Sequence, residues 1–332
     1  MKPERDLVLV TGAAGWIGRN VCSALNRAGC RVAAFDLVKP GIRCDEIFVG
    51  SLAAFADPTA ELCQLLGRTS AVIHCAGRAH RPIETPEEVA LFEETNVGGT
   101  RSLLAACEAC GVRRMVYVST IAGYDWTTMP AGGHGEQAIQ KPTSAYARTK
   151  LEGERLVRES TLDWRVVRLA TVFGAGDRAN FAKLAGALRR KQFVVPGRGD
   201  ARKSVIPVDL AAEVLMQLAQ IEEPKHRLVN VALPEPPTLR AICDAFSAGC
   251  GFPRARGVSL PLLRCAARLG DLLAKAKPGF PLTTGNLRKL TTPTVVDASR
   301  LYETLPTMRW PTFAECLNSA AAYYNTIDRT GV

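Results

Sequence analysis

No stretch of this 332-residue chain reaches the roughly 20 consecutive apolar residues that a membrane-spanning helix needs. No integral membrane segment is therefore expected. The start, MKPERDLVLVTG, lacks a signal-peptide pattern, because its apolar residues run straight into a glycine-rich turn. A cytoplasmic location follows as the expectation. Zinc-site spacing is also missing: of the 11 cysteines, one CxxC, Cys107 to Cys110, has no second pair. No metal is expected, and in a reducing compartment the scattered thiols should stay unpaired. Aromatic residues are not interleaved with the basic ones, and no nucleic-acid motif is present, which argues against a nucleic-acid partner. No internal repeat and no low-complexity tract interrupts the chain.

What is there is an ordinary globular composition, 47% hydrophobic and 22% charged, enough for one large α/β unit or two modest domains. The net charge of +10 favours an anionic partner, such as a nucleotide diphosphate or an acidic membrane surface, without choosing between them. Short apolar runs at 7–10, 31–35, 71–74, 115–119 and 164–169 read as buried strands. Helix-length segments at 16–28, 86–110 and 144–160 separate them. Such alternation predicts an α/β fold, a Rossmann-type doubly wound parallel sheet with helices on both faces. After about residue 175, proline and basic residues become frequent and strands sparse. The expected division is a dinucleotide-binding domain over 1–175, rejoined by 208–232, and a smaller C-terminal substrate-binding lobe made of 176–207 and 233–332.

Between the first strand and the first helix lies Thr11-Gly12-Ala13-Ala14-Gly15-Trp16-Ile17-Gly18. Gly12 would allow the tight turn, Gly15 the close approach of backbone to a pyrophosphate, and Gly18 the close packing of helix on sheet. The helix N-terminus offers N–H groups and a positive dipole end to phosphate. Asp36 ends the second strand, where a carboxylate accepts hydrogen bonds from the adenosine ribose and repels a 2′-phosphate. NAD is thus favoured over its phosphorylated counterpart.

Tyr146 and Lys150 are four residues apart, one turn along one helix face. A phenol titrates near ~10, and a base working at neutrality needs that value lowered by about 3, roughly 4 kcal/mol. A neighbouring ammonium supplies part of it. Thr120, with Ser119 beside it at the end of a strand, provides a hydroxyl to orient the reacting oxygen.

These motifs resemble the extended short-chain dehydrogenase/reductase family, in particular its NAD-dependent nucleotide-sugar epimerase/dehydratase branch, over about residues 6–325. TGAAGWIG resembles TGxxGxIG, VIHCAG resembles VxHxAA with Gly77 for the second alanine, and ETNVGGT carries the Asn of NVxGT at Asn96. VYVSTIAGY resembles the strand that delivers the catalytic hydroxyl, which by register is Thr120. SAYARTKLEGE resembles YxxSKxxxE with Thr149 for Ser, and RLATVFG resembles RPxxVYG with Leu169 for Pro. The resemblance implies a cofactor surface of Gly12, Ala14, Gly15, Trp16, Ile17, Gly18, Asp36, Ser51, Leu52, Cys75, Ala76, Gly77, Asn96, Val118, Tyr146, Lys150, Ala170 and Val172. In the second lobe GDARKSVIPVDLA resembles G-x-x-x-RDYIHVDDLA, with Lys203 and Ile206 for its Asp and His. It implies that Arg202 meets a substrate diphosphate, and DRANF (177–181) implies the same of Asn180. Family members that dehydrate a sugar carry Asp-Glu after the catalytic Thr. Here Ile121-Ala122 follow, leaving C4 epimerisation or 4-keto reduction of a nucleotide-linked sugar.

Competing readings stay open. A 3β-hydroxysteroid-type or flavonoid-type reductase of the same fold would leave Arg202 idle, and a non-enzymatic dinucleotide sensor would not need the Tyr/Lys pair. Residues 260–280 place apolar and basic side chains at helical spacing, suiting either a lid of the substrate lobe or a membrane-surface helix. A homodimer through helices at 86–110 and 144–160 is expected; Leu103, Leu104 and Leu151 fit either that seam or the chain's own core. His80 is either a substrate-side or a solvated loop histidine.

Overall fold

The computed structural model describes residues 7–78, 85–276 and 280–327. His80 lies outside them. The chain opens with strands β1 (Leu7–Thr11), β2 (Arg31–Asp36), β3 (Glu46–Val49), β4 (Thr69–His74), β5 (Arg114–Thr120) and β6 (Asp163–Leu169). Three-residue strands β7 (Thr171–Phe173), β8 (Val194–Pro196) and β9 (Val205–Pro207) follow, then β10 (Leu228–Val231) and β11 (Arg256–Val258). Helices α1 (Trp16–Arg27), α2 (Ala60–Arg68), α3 (Pro86–Phe92), α4 (Gly99–Ala109), α5 (Ala145–Glu159), α6 (Asn180–Arg189) and α7 (Val208–Gln220) alternate with them. The last third carries α8 (Leu239–Cys250), α9 (Leu260–Ala276), α10 (Thr284–Thr291), α11 (Ser299–Thr304), α12 (Phe313–Ser319) and α13 (Ala321–Tyr324).

The main sheet is seven-stranded and parallel, in the order β10-β6-β5-β4-β1-β2-β3. Its strands read as unbroken apolar runs because both faces are covered. Val8, Val10, Val32, Val116 and Val167 pack on one face with Val21 and Leu25 of α1 and Val214 and Leu218 of α7. Leu7, Leu9, Phe35, Met115 and Tyr117 pack on the other with Leu65 of α2, Leu103 and Leu104 of α4 and Val157 of α5. Each such fully buried side chain stabilises the fold by about 1.5–3 kcal/mol. Sequence order reverses between β1, which pairs with β2 on one side, and β4 on the other. The crevice beyond the carboxyl ends of those two strands is where such sheets bind ligands.

Two local features depart from the sequence expectation. β3 is a four-residue, half-buried edge strand too short to show a pattern. The helix expected over 86–110 is broken by a π turn at Glu93–Gly98, which carries Asn96 inward, buried to 2% exposure. Leu103 and Leu104 lie in the chain's own core, while Leu151 is half-buried and packs where Gly123 has no side chain. The outward face of α5 is charged, with Arg155 bonded to Glu152 and Glu159.

Candidate active site

The crevice begins at Gly12, whose φ of +69° is the left-handed region that favours glycine. Its N–H donates to the Phe35 carbonyl at 2.9 Å. A Cβ there would lie 2.6 Å from the Ala76 nitrogen, so β1 and the turn after β4 close together only around a bare backbone. A methyl on Gly18 would run into the Gly12 carbonyl. Gly15 is the N-cap of α1 and gives that helix no side-chain cap. The orphan N–H groups of the first turn therefore face the crevice, a cradle suited to a diphosphate. Asp36 accepts from Ala14 N at 2.9 Å and Leu37 N at 2.7 Å, which ties the glycine loop to the end of β2. Trp16 donates its indole N–H to the Ala175 carbonyl at 2.7 Å and so joins this loop to the segment after β7. Ser51 caps a 3-10 turn through Ala53 N, and Leu52 is buried against Gly99.

The second half of the site sits on α5, which Ser144 caps by accepting from Ala147 N at 3.2 Å. Tyr146 and Lys150 occupy successive turns of its inner face. The Tyr146 hydroxyl is hydrogen-bonded to the Thr120 side chain at the end of β5. Thr120 Oγ1 also accepts from Ala122 N at 3.1 Å, which holds its rotamer. The Lys150 ammonium is buried, 4.2 Å above the Tyr117 ring, and faces Gly77. Gly153 leaves room for the Tyr117 hydroxyl, which donates to the Lys150 carbonyl at 3.3 Å.

Burial governs how these groups titrate. It pushes Lys150 down to about 8, against the pull of Cys75 and Glu154. It pushes the Cys75 thiol up to about 12, opposed by Lys150. It also raises the Tyr146 phenol above its ordinary value, and the Thr120 hydrogen bond offsets only part of this. The depression expected of the tyrosine from its neighbouring ammonium is absent in the protein alone, where loss of solvent around the phenol leads. Tyr146 therefore rests as a neutral proton donor.

Several predicted residues take other roles. Ser119 points to the opposite side of β5 from Thr120 and donates to Glu154 Oε1 at 2.5 Å, away from the Tyr146 hydroxyl. It belongs to a buried network with Arg168, which donates to both Glu154 oxygens, to Tyr124 and to the Glu136 carbonyl. The Asn96 amide is engaged within the chain: Oδ1 accepts from Arg78 N at 2.7 Å and Nδ2 donates to Thr149 Oγ1 at 3.0 Å. It braces the turn after β4 against α5. Val118 lies in the core beneath the crevice, and Ala170 and Val172 line the stretch from β6 into β7. Asn180, exposed at the start of α6, is not the group that caps it. Buried Asp177 is, accepting from Ala179 N at 2.6 Å and Ala182 N at 2.9 Å. Arg202 is exposed and donates to the Pro236 carbonyl at 3.2 Å. Lys203, where the resembled pattern has Asp, donates to the Lys289 and Thr292 carbonyls and so holds the carboxyl end of α10. Tyr117, Glu154 and His74 lie inside motifs legible in the sequence, but the sequence gives them no role. Glu154 was within reach, one further turn along the Tyr146 and Lys150 face.

A doubly wound sheet with a bare-backbone cradle at its switch point and a Tyr/Lys/Thr set beside it defines a short-chain dehydrogenase/reductase. Residues 8–232 match the NAD dependent epimerase/dehydratase family, and the chain belongs to it. Among its relatives, a 2-alkyl-3-oxoalkanoate reductase of Stenotrophomonas maltophilia is 27% identical over 86% of this chain and 89% of its own. A UDP-glucose 4-epimerase of Vibrio cholerae is 28% identical over 53% of this chain and 55% of its own. The fold is also that of the UDP-glucuronic acid 4-epimerase from Bacillus cereus, solved with UDP-glucuronic acid and NAD, at a TM-score of 0.72 and 19% identity over 97% and 99% of the two chains.

Proposed function

We propose that this chain is an NAD-dependent oxidoreductase that moves a hydride to or from a carbon bearing a hydroxyl or keto group, on a sugar carried by a nucleotide diphosphate. The observation that carries the reading is the Tyr146–Thr120 hydrogen bond beside buried Lys150, at the mouth of the glycine-loop crevice. The cradle of Gly12, Gly15 and the α1 N-terminus would hold the NAD diphosphate, and Asp36 its adenosine ribose. When bound, NAD takes up or returns the hydride.

In the reducing direction Thr120 holds the carbonyl oxygen and Tyr146 gives it a proton as the carbon receives hydride. In the oxidising direction the tyrosinate takes the hydroxyl proton back. Lys150, with its ammonium positioned over Tyr117, stabilises the tyrosinate formed in between. Even with burial lowering it to about 8, Lys150 stays mostly charged at neutrality, and a cation beside the reacting phenol would favour the tyrosinate. An epimerase would let the keto sugar turn over before hydride returned to its other face; a 4-keto reductase would release the product. Relatives that act on UDP-sugars, among them the Vibrio epimerase, support the sugar reading.

A second reading is favoured by Arg202, whose guanidinium is engaged by the Pro236 carbonyl, and by the relation to an oxoalkanoate reductase. There the same residues would reduce a lipophilic ketone. A panel of UDP- and dTDP-sugars run beside 3-oxo fatty-acid derivatives separates the two. Turnover of a nucleotide sugar with NAD tightly retained on the purified protein supports epimerisation. Turnover of the ketones alone would remove the sugar.

A further inference from the structure

Helix α9 differs from every other helix in what it turns outward. Leu263, Ala267 and Gly270 form its inner side, packed with Leu287 of α10 and with Leu282. On its outer side Leu262, Leu269, Leu272 and Leu273 are 62%, 64%, 62% and 52% exposed, with Cys265 exposed among them. Their spacing of three, four and seven residues makes one stripe along the helix. The four leucines form the largest concentration of exposed apolar side chains among the described residues.

A second stripe runs beside the first. Arg264, Arg268 and Lys275 recur at intervals of four and seven, all exposed, and Arg288 and Lys289 of α10 extend the basic side. The one acid of the helix, Asp271, is spent within the lobe: it accepts from the Thr284 N–H and hydroxyl at 3.0 and 2.8 Å. The helix therefore has three faces, one for the core, one cationic and one apolar, with the last two adjacent. Apolar side chains beside a row of cations match the acyl and headgroup layers of an anionic bilayer in order. A protein partner would need its own matching acidic rim, and the chain's +10 net charge opposes pairing this face with a second copy.

We infer that α9 seats the substrate lobe on an anionic membrane surface, with its leucine stripe at the acyl boundary and Arg264, Arg268 and Lys275 on lipid phosphates. The inference is independent of which ketone or hydroxyl the active site uses. Because α9 and α10 pack together and Lys203 ties α10 to the segment carrying Arg202, the seated helix would fix how the substrate lobe faces the bilayer.

The test is flotation of the full chain with vesicles of phosphatidylcholine alone or mixed with phosphatidylglycerol. Wild-type protein should float with the anionic vesicles and be released by salt. The triple change Leu262→Gln, Leu269→Gln, Leu273→Gln should abolish flotation at any salt, without loss of fold, since these side chains are exposed. Arg264→Gln with Arg268→Gln and Lys275→Gln should weaken partitioning roughly a hundredfold and remove the preference for phosphatidylglycerol. Three outcomes would overturn the inference. One is no flotation at low salt, and another is flotation that both variants keep. The third is a dimer in solution that the leucine change dissolves while vesicles are ignored. Dinucleotide binding and turnover of soluble substrate should not change in either variant, so failure here leaves the proposed chemistry standing.

Discussion

The two ends of the candidate active site are built differently. At the dinucleotide end the decisive atoms are backbone: Gly12 at φ +69°, the uncapped start of α1, and the turn after β4 pressed against them. Side chains there are committed to partners within the chain, with Asn96 and Lys150 buried and Asp36 half-buried. At the substrate end the candidate residues Asn180 and Arg202 are exposed, and what orders their neighbourhood is Asp177 capping α6 and Lys203 capping α10. A site made of backbone and burial tolerates little change, so its chemistry is shared across a family. One made of exposed side chains on caps can be refitted without disturbing the fold, so substrates diverge there.

The largest effect should come from the buried end. Replacing Lys150 with Met should lower turnover by about 10²–10⁴-fold and weaken dinucleotide binding, read by steady-state kinetics and by fluorescence titration. Next, Glu154→Gln should cost about 3–5 kcal/mol of stability in chemical denaturation, because it leaves buried Arg168 without its carboxylate. Gly12→Ala combines a positive φ with a close approach to the Ala76 backbone. It should cost about 1–3 kcal/mol and remove dinucleotide binding.

His74 offers a subtler handle on the same wall. It lies buried between the Thr11 and Thr100 hydroxyls, and burial, helped by Lys150, holds it down at about 3. Above its ordinary value of about 6.5 the ring is neutral folded or unfolded, so it adds no pH dependence. As pH falls below that, the unfolded chain takes up a proton that the folded chain refuses. Stability should then drop by about 1.4 kcal/mol per pH unit. His74→Gln should flatten that slope between pH 6.5 and 5 in thermal melts. The smallest effect should come from the exposed end: Arg202→Ala should raise KM for a nucleotide sugar about tenfold with kcat little changed. No change at all would favour the ketone reading.

The same contrast explains what could be read from the sequence. Gly12, Gly15, Gly18 and Asp36 were legible because a tight turn and a strand end restrict residue type, and Tyr146 and Lys150 because helical spacing puts them on one face. The parallel sheet with helices on both faces followed from alternation of short apolar runs with helices; the strand order did not. Ser119 and Thr120 look alike as letters but face opposite ways, and Ser119 turns to Glu154. The parity of β5, with Val116 and Val118 on one face and Tyr117 on the other, decides between Ser119 and Thr120. Asn96 is marked in the sequence only by its motif, that of the family's structural Asn beside the expected cofactor surface. Its actual partners, Arg78 and Thr149, are 18 and 53 residues away in sequence and invisible before folding. Lys203 could not be interpreted at all until α10 placed two open carbonyls beside it.

The most direct measurement follows hydride transfer in a single turnover of Tyr146→Phe while dinucleotide binding is recorded in the same sample. Binding should stay within a few-fold of wild type, and transfer should slow by about 10²–10⁴-fold and lose the pH dependence it shows in the wild-type protein. Transfer at the wild-type rate would contradict the role of Tyr146 and leave only a dinucleotide-binding fold.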